Sequence, residues 1–378
     1  MRIAFVALGY VPQRTSGLAV GGERVVRALL DAGHAVTVLA AARERLAEAH
    51  THPALTIYRL PLGRSDWIGY ARRAARLVRA LDRRQPFDVV HFSEVHFAYA
   101  YQGRFVANLH HSFRQRTSIL NPRSPRAIPS AIYYALARRL AELPAARRAA
   151  GLLAVSAAAR DEFVHCYRIA PERIVVTPYG TDTEFFRPTP LAADLRRRLG
   201  IAESEPVLLF VGFVTPRKGL DDLARALLLM RPTPRLLIVG RWSDGYRSRF
   251  LRLLGPAADR VVEAGYVPDE HMPAYYSLAD VYVSPSLMEG FGLTLAEALA
   301  CETPVVAVRA GAVAEVVGPG GILVPPRDPV ALAEALSRVL ADAALRSELG
   351  RCGREHIMRE FSIPAMLRAT LEAYDRFG

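Results

Sequence analysis

The sequence predicts an α/β protein of two doubly wound, Rossmann-like domains facing each other across a cleft. Three observations lead there. The chain has 378 residues, which suits two domains of about 100–200 residues each. Short apolar runs alternate with helical patterns from one end to the other. The alternation breaks once, over 179–206, where Gly180, Pro188 and Pro190 precede a short charged helix at Ala192–Leu199. That stretch has the character of an interdomain linker.

In the first half the apolar runs are Ile3–Leu8, Ala35–Ala40, Thr56–Leu60, Val89–Phe92, Phe105–Leu109, Leu152–Val155 and Ile174–Thr177. Most are continuously apolar rather than alternating, the mark of strands covered on both faces in a parallel sheet. Between the first two runs, Glu23–Ala32 carries Val25, Val26, Leu29 and Leu30 at helical spacing and stops at Gly33. Arginine-rich helices are expected at Tyr70–Gln85 and Ala131–Leu143. After the linker the pattern restarts with Val207–Val211, Leu236–Val239, Val261–Val262, Val281–Val283, Pro304–Val308 and Gly321–Val324. Helices at Pro329–Leu340 and Ala344–Glu360 close it. The expected domains are therefore 1–183 and 184–360, with a last helical segment, 361–378, packing back on the first.

Composition narrows the class. With 51% hydrophobic and 23% charged residues, the chain can build two sizeable cores. Cys166, Cys301 and Cys352 are odd in number and far apart, which argues against a disulfide framework and fits a reducing cytoplasm. The first apolar run is too short for a signal peptide, and no stretch of about 18 apolar residues suggests a spanning helix. The formal charge is +12, nearly all of it arginine; the one lysine is Lys218. The arginine clusters at Arg72, Arg73, Arg76, Arg138 and Arg139 read as solvated helix faces or as a peripheral patch against an anionic membrane. No zinc spacing, RNA-recognition signature or basic–aromatic interleaving accompanies them, which excludes nucleic acid as a partner.

Four segments carry candidate chemistry. From Ser284 to Thr303, a strand end is followed by Glu289-Gly290-Phe291-Gly292 and a helix beginning at Leu293. The glycines allow close backbone approach, and the helix start offers amides to a diphosphate. That helix is apolar all round, so Glu297 inside it is costly unless it accepts hydrogen bonds. Ribose hydroxyls are suitable donors; a nearby arginine or solvent is the alternative. The second segment runs from Val211 through Gly212 to Arg217-Lys218-Gly219, two adjacent cations at a strand-to-helix turn, suited to a departing diphosphate. The third is Gly21-Gly22, a glycine pair expected to open a helix and face an anion. The fourth is His110, at the end of a strand and so directed to the ligand side of a parallel sheet.

Together these segments resemble the retaining glycosyltransferase family 4 of the GT-B fold, which includes glycogen synthase and phosphatidylinositol mannosyltransferase. The resemblance spans nearly the whole chain and keeps its order. Its most specific element is the pair Glu289 and Glu297 with Phe291-Gly292 between them. The resemblance implies that Glu289 contacts the donor hexose and Glu297 the nucleotide ribose. It implies that Arg217 and Lys218 hold the diphosphate, that Gly21 and Gly22 reach a donor phosphate, and that His110 lies near the donor sugar. Tyr266 and Val267 resemble the segment whose backbone reads the base. Two positions depart from the pattern: Phe213 stands where arginine is frequent, and Tyr179 where the hinge usually has asparagine. The implied reaction is transfer of a hexose or N-acetylhexosamine, with retention, from a UDP- or GDP-sugar to a lipid-linked or small-molecule acceptor. Acceptor residues are expected in first-half loops such as Arg114–Pro129. No Asp-x-Asp occurs in the chain, so no metal or other cofactor is expected, the nucleotide sugar being a co-substrate. A nucleotide-sugar epimerase or a phosphorylase on the same scaffold, and a non-catalytic basic binding protein, are the competing readings.

Overall fold

The computed structural model describes residues 1–12, 16–42, 52–62, 66–118, 120 and 127–378. Within the 114–129 loop, residues 119 and 121–126 lie outside the described residues. The chain forms two compact units, Met1–Gly180 with Ile363–Gly378, and Thr181–Ser362.

The first unit contains β1 (Arg2–Ala7), β2 (Ala35–Ala42), β3 (Leu55–Pro61), β4 (Val89–Phe92), β5 (Val106–Leu109), β6 (Gly151–Ala154) and β7 (Ile174–Val176). They pair in the order β3-β2-β1-β4-β5-β6-β7, and every pairing is parallel. Buried β-branched and aromatic side chains on both faces explain the continuous apolar runs. The second unit contains β8 (Val207–Val211), β9 (Arg235–Val239), β10 (Val261–Gly265), β11 (Val281–Ser284), β12 (Val305–Val308) and β13 (Gly321–Val324). Their order is β10-β9-β8-β11-β12-β13, again all parallel. In each sheet the strand order reverses once, between β1 and β4 and between β8 and β11. The loops beyond the carboxyl ends of those strands are where ligands bind in such sheets.

Two helices differ from the sequence expectation, each for a local reason. The first begins at Gly17, not at Glu23, because the Ser16 side chain accepts a hydrogen bond from the Ala19 amide and caps it there. Gly21 and Gly22 therefore lie inside the helix rather than opening it. A Cβ on Gly21 would stand 2.6 Å from the Tyr179 ring, and one on Gly22 3.3 Å from Phe5. The glycines are close-packing positions. The second difference is that the helix expected to end at Leu143 runs on. Ala127–Ala137 continues through a π turn, Arg138–Glu142, into Leu143–Arg148. Pro144 has no N–H to give, and the wider turn ahead of it absorbs the missing bond.

The closing helix, Ile363–Phe377, is part of the first unit and is pinned from inside. The Tyr374 hydroxyl donates to His91 Nδ1 at 2.6 Å, which leaves Nε2–H to donate to Asn108 Oδ1 at 2.8 Å. All three side chains are buried. Burial pushes the His91 pKa down to about 4, so the ring is neutral and this tautomer is self-consistent. Phe377 covers Gly151, where a Cβ would come within 2.1 Å of the ring. Replacing Tyr374 with Phe strands a buried His91 nitrogen, and we expect a loss of about 1–3 kcal/mol in chemical denaturation. Unchanged stability would show that the pin contributes nothing.

Candidate active-site residues

In the second unit the two loops at the strand reversal are laced together. Past β8, Gly212 (φ 144°) lets the chain turn, and Pro216–Lys218 forms one 3₁₀ turn ended by Gly219 in the left-handed region at φ 72°. A Cβ on Gly219 would stand 2.0 Å from the Pro285 carbonyl oxygen, so only glycine lets this loop press on the one after β11. The Leu287 amide donates to the Arg217 carbonyl at 3.1 Å, and the Arg217 guanidinium donates to the Met288 carbonyl at 3.0 Å. The Lys218 ammonium forms an ion pair with the Glu289 carboxylate; each side chain is only 15% exposed. Burial pushes Glu289 up, but Lys218 and then Arg217 outweigh it and hold the carboxyl below its ordinary value. Behind the loop, the Ala312 amide donates to the Glu289 carbonyl at 3.1 Å, and Gly311 (φ 56°) makes room for that carbonyl.

Beyond Glu289, Gly290 leads to Phe291, which is buried edge-to-face against Phe361. Gly292, at φ 97°, turns the chain into helix Leu293–Ala300. Glu297 lies on the buried side of that helix and accepts a 2.8 Å hydrogen bond from the Tyr276 hydroxyl. Tyr282 donates to Thr294 on the same helix at 2.8 Å. At the neighbouring strand ends, Gly240 donates its amide to the Gly265 carbonyl at 2.7 Å, and its missing Cβ clears the Gly212 carbonyl. Tyr266 follows, two-thirds exposed, with the Arg241 guanidinium 5.3 Å from its ring centre, whereas Val267 is buried. Arg217, Lys218, Glu289 and the start of helix Leu293–Ala300 thus come together at the β8–β11 reversal.

In the first unit His110 stands just past β5 and is buried. Its Nε2 is 2.7 Å from the Tyr179 hydroxyl, the two rings stack, and Gly21 also packs against the Tyr179 ring. His110 Nδ1 is buried with no hydrogen-bond partner among the described residues. Burial, and then neighbouring cationic groups, keep its pKa well below the ordinary value. His111 turns away to Gln115, at 2.7 Å. Sequence reasoning missed three neighbours here. Glu94 and His96 follow β4, and the Arg116 guanidinium lies 3.6 Å from the Glu94 carboxylate. Their signal is the one that singled out His110, polar side chains directly beyond an apolar strand, in Ser93-Glu94-Val95-His96. Among the described residues no group of three or more His, Cys, Asp or Glu side chains could hold a metal ion. No described helix is long and apolar enough to cross a membrane.

Two α/β units, each with charged or polar side chains gathered at the carboxyl ends of its strands, define a GT-B-class scaffold. Comparison with known proteins agrees. The Glycosyltransferase Family 4 model matches residues 15–185, and the Glycosyl transferases group 1 model matches residues 192–356. The chain belongs to the family 4-like glycosyltransferases. It is 40% identical over 212 residues to D-inositol 3-phosphate glycosyltransferase of Acidothermus cellulolyticus, covering 52% of this chain and 47% of that protein. It thus spans about half the length of that curated relative. Sucrose-phosphate synthase from Thermosynechococcus elongatus shares the fold, with a TM-score of 0.81 at 23% identity over 100% of this chain and 98% of the other. So does Anabaena HepE in complex with UDP and glucose, with a TM-score of 0.74 at 19% identity over 99% of both chains. The epimerase alternative finds no support among these relatives.

Burial depresses the His96 pKa to about 3, with Arg116 adding to the effect. Between its unfolded value of about 6.5 and that depressed value, the unfolded chain binds the proton and the folded chain does not. Stability linked to His96 is therefore complete above pH 6.5 and lost as pH falls. Removing the histidine removes that loss. We expect His96→Gln to gain stability relative to the parent by up to about 1.4 kcal/mol per unit as pH falls from 6.5 to 4. A difference between the two proteins that does not vary with pH would contradict a buried neutral His96.

Proposed function

We propose that this chain is a retaining, metal-independent glycosyltransferase. It moves a hexose or N-acetylhexosamine from a UDP- or GDP-sugar to a lipid-linked or small-molecule acceptor. The observation that carries the reading is the Lys218–Glu289 pair at the β8–β11 reversal, with Arg217 beside it. A cation already placed, mostly out of water, beside a helix start is what a departing diphosphate needs, since its charge grows as the sugar–oxygen bond breaks. HepE, whose fold this chain shares, binds UDP and glucose, which supports a nucleotide-sugar donor. The inositol phosphate named for the Acidothermus relative supports a small polyol among the candidate acceptors.

Each residue has a role in this reading. Lys218 and Arg217, with the amides at Leu293 and Thr294, hold the diphosphate, and Gly212 and Gly292 allow the backbone to approach it. Glu297 binds the ribose, kept in place by Tyr276. Tyr266 and Val267 present backbone to the base. Glu289 holds hydroxyls of the donor sugar once Lys218 has turned to phosphate. His110 accepts or donates at a sugar hydroxyl, and the helix turn with Gly21 and Gly22 faces a donor phosphate. Departure and attack occur on one face of the sugar in this reading, with Glu289 assigned to donor hydroxyls and Glu297 to the ribose, so that neither takes the nucleophile's part of a glycosidase carboxylate. Cations and amides take the part a bridging metal plays elsewhere. Exposed arginines of the first unit give a peripheral contact with an anionic membrane, which suits a cytoplasmic enzyme meeting a lipid-linked acceptor. Arg73 is not among them, since it is tied to the Pro61 carbonyl and to Asp66.

The two glutamates should separate by function. Glu297→Gln is expected to weaken nucleoside diphosphate binding by about 1–3 kcal/mol in calorimetry. Glu289→Gln is expected to leave that affinity unchanged and to slow transfer by at least roughly tenfold. Equal losses of nucleotide affinity in both variants would refute the division of roles. Initial transfer rates are expected to be the same in excess chelator as in magnesium or manganese. A rate abolished by chelator and restored by metal would refute metal independence.

A further inference from the structure

Helix Ala127–Ala137 and the π turn after it present an inverted pattern: small residues face the protein, and large apolar ones face out. Ala127, Ala137 and Ala141 are buried. Ile128, Ile132, Leu136 and Leu140, spaced four residues apart and so on one side of the helix, are 73%, 56%, 53% and 68% exposed. Tyr133, beside them, accepts a hydrogen bond from the Trp67 indole at 2.6 Å. That bond joins the stripe to the start of helix Trp67–Arg84, where Ile68 is also exposed. Contiguous exposed apolar surface of this kind marks an interaction site rather than ordinary scatter.

We propose that this stripe inserts into the interfacial layer of an anionic lipid bilayer. The identity of the partner follows from what borders the stripe. Arg139 lies within it, Arg147 follows at its far end, and Arg72 and Arg76 project from the adjoining helix; all four are exposed. Arg76 and Arg139 have no ion-pair partner among the described residues. An apolar ridge edged by guanidinium groups, with Tyr133 and Trp67 at its margin, matches the layering of acyl chain, glycerol and anionic headgroup. A second copy of this chain would bring the same arginine rim against itself, like charge against like, on a protein of net charge +12. The inference goes beyond the electrostatic contact described above, because an arginine-only contact is released by salt and an inserted apolar ridge is not.

Co-sedimentation of the full chain with phosphatidylglycerol-rich and with pure phosphatidylcholine vesicles, each at low and high salt, tests the insertion. The comparison protein is Ile132→Ser/Leu136→Ser/Leu140→Ser, its folding checked by circular dichroism and an unchanged unfolding midpoint. The parent is expected to bind the anionic vesicles and to stay bound when salt is raised. The variant is expected to bind at least roughly tenfold more weakly and to leave at high salt. A variant that matches the parent at both salt levels overturns the insertion while leaving the arginine contact intact. A parent dimer in sedimentation equilibrium that the same substitutions dissolve also overturns it, because the stripe would then be covered by a second copy. Sugar transfer to a soluble acceptor is assayed separately, so a failure of the transferase reading does not mimic either result.

Discussion

Most of what the second unit offers to a ligand depends on one ion pair, Lys218 with Glu289. Its partners come from loops 71 residues apart in the chain, brought together because β8 and β11 are neighbours in the sheet. Burying two charges is costly unless each neutralises the other, and removing either one strands its partner. The pair therefore couples the two loops, and two further bonds hold them together independently of the Glu289 side chain. The bonds from the Leu287 amide to the Arg217 carbonyl and from the Arg217 guanidinium to the Met288 carbonyl then fix the register. In the proposed reaction, the pair also holds the cation at low entropy cost until phosphate oxygens compete for it. Glu289 is then released to the sugar.

The constraint reaches outward through residues that have no side chain. Gly219 and Gly311 take left-handed backbone conformations and yield space to the carbonyls of Pro285 and Glu289. Gly212, Gly240 and Gly265 also take positive φ at three adjacent strand ends, and a Cβ at Gly240 would collide with the Gly212 carbonyl. The ligand-side rim of the second sheet is thus built from exposed or half-exposed backbone. Of the side chains there, Arg241 and Tyr266 are exposed, whereas Arg217 and Lys218 lie half-buried against the loop after β11. In the first unit the rim is different. Tyr179 packs against Gly21 and His110, and the buried imidazole keeps one nitrogen without a hydrogen-bond partner among the described residues.

The strands were legible because parallel strands covered on both faces are apolar without alternation, and all thirteen runs fall on the observed strands within a few residues. Helix starts were less legible. Gly21-Gly22 looks like a helix opening, since glycine disfavours a helix interior. The cap at Ser16 and the packing of Tyr179, which comes 158 residues later, decide otherwise. Helix Tyr246–Leu254 carries a legible pattern, with Tyr246, Phe250 and Leu254 recurring every four residues on one buried face. In the candidate site, Lys218 and Glu289 each stood out locally, one as a lone lysine and the other beside glycines. Their pairing did not, because it is made by sheet order. Tyr276 as the partner of Glu297 was beyond reach for the same reason. The outward apolar stripe was hidden because periodicity shows that a helix has an apolar side but not which way that side turns.

Lys218 is the only lysine in the chain, which permits a direct test. Acetylate the protein with an amine-selective reagent, with and without saturating UDP or GDP, and follow Lys218 by mass spectrometry alongside transfer activity. The account predicts that activity falls in proportion to Lys218 modification and that bound nucleoside diphosphate protects both. Complete modification of Lys218 with transfer intact would contradict it.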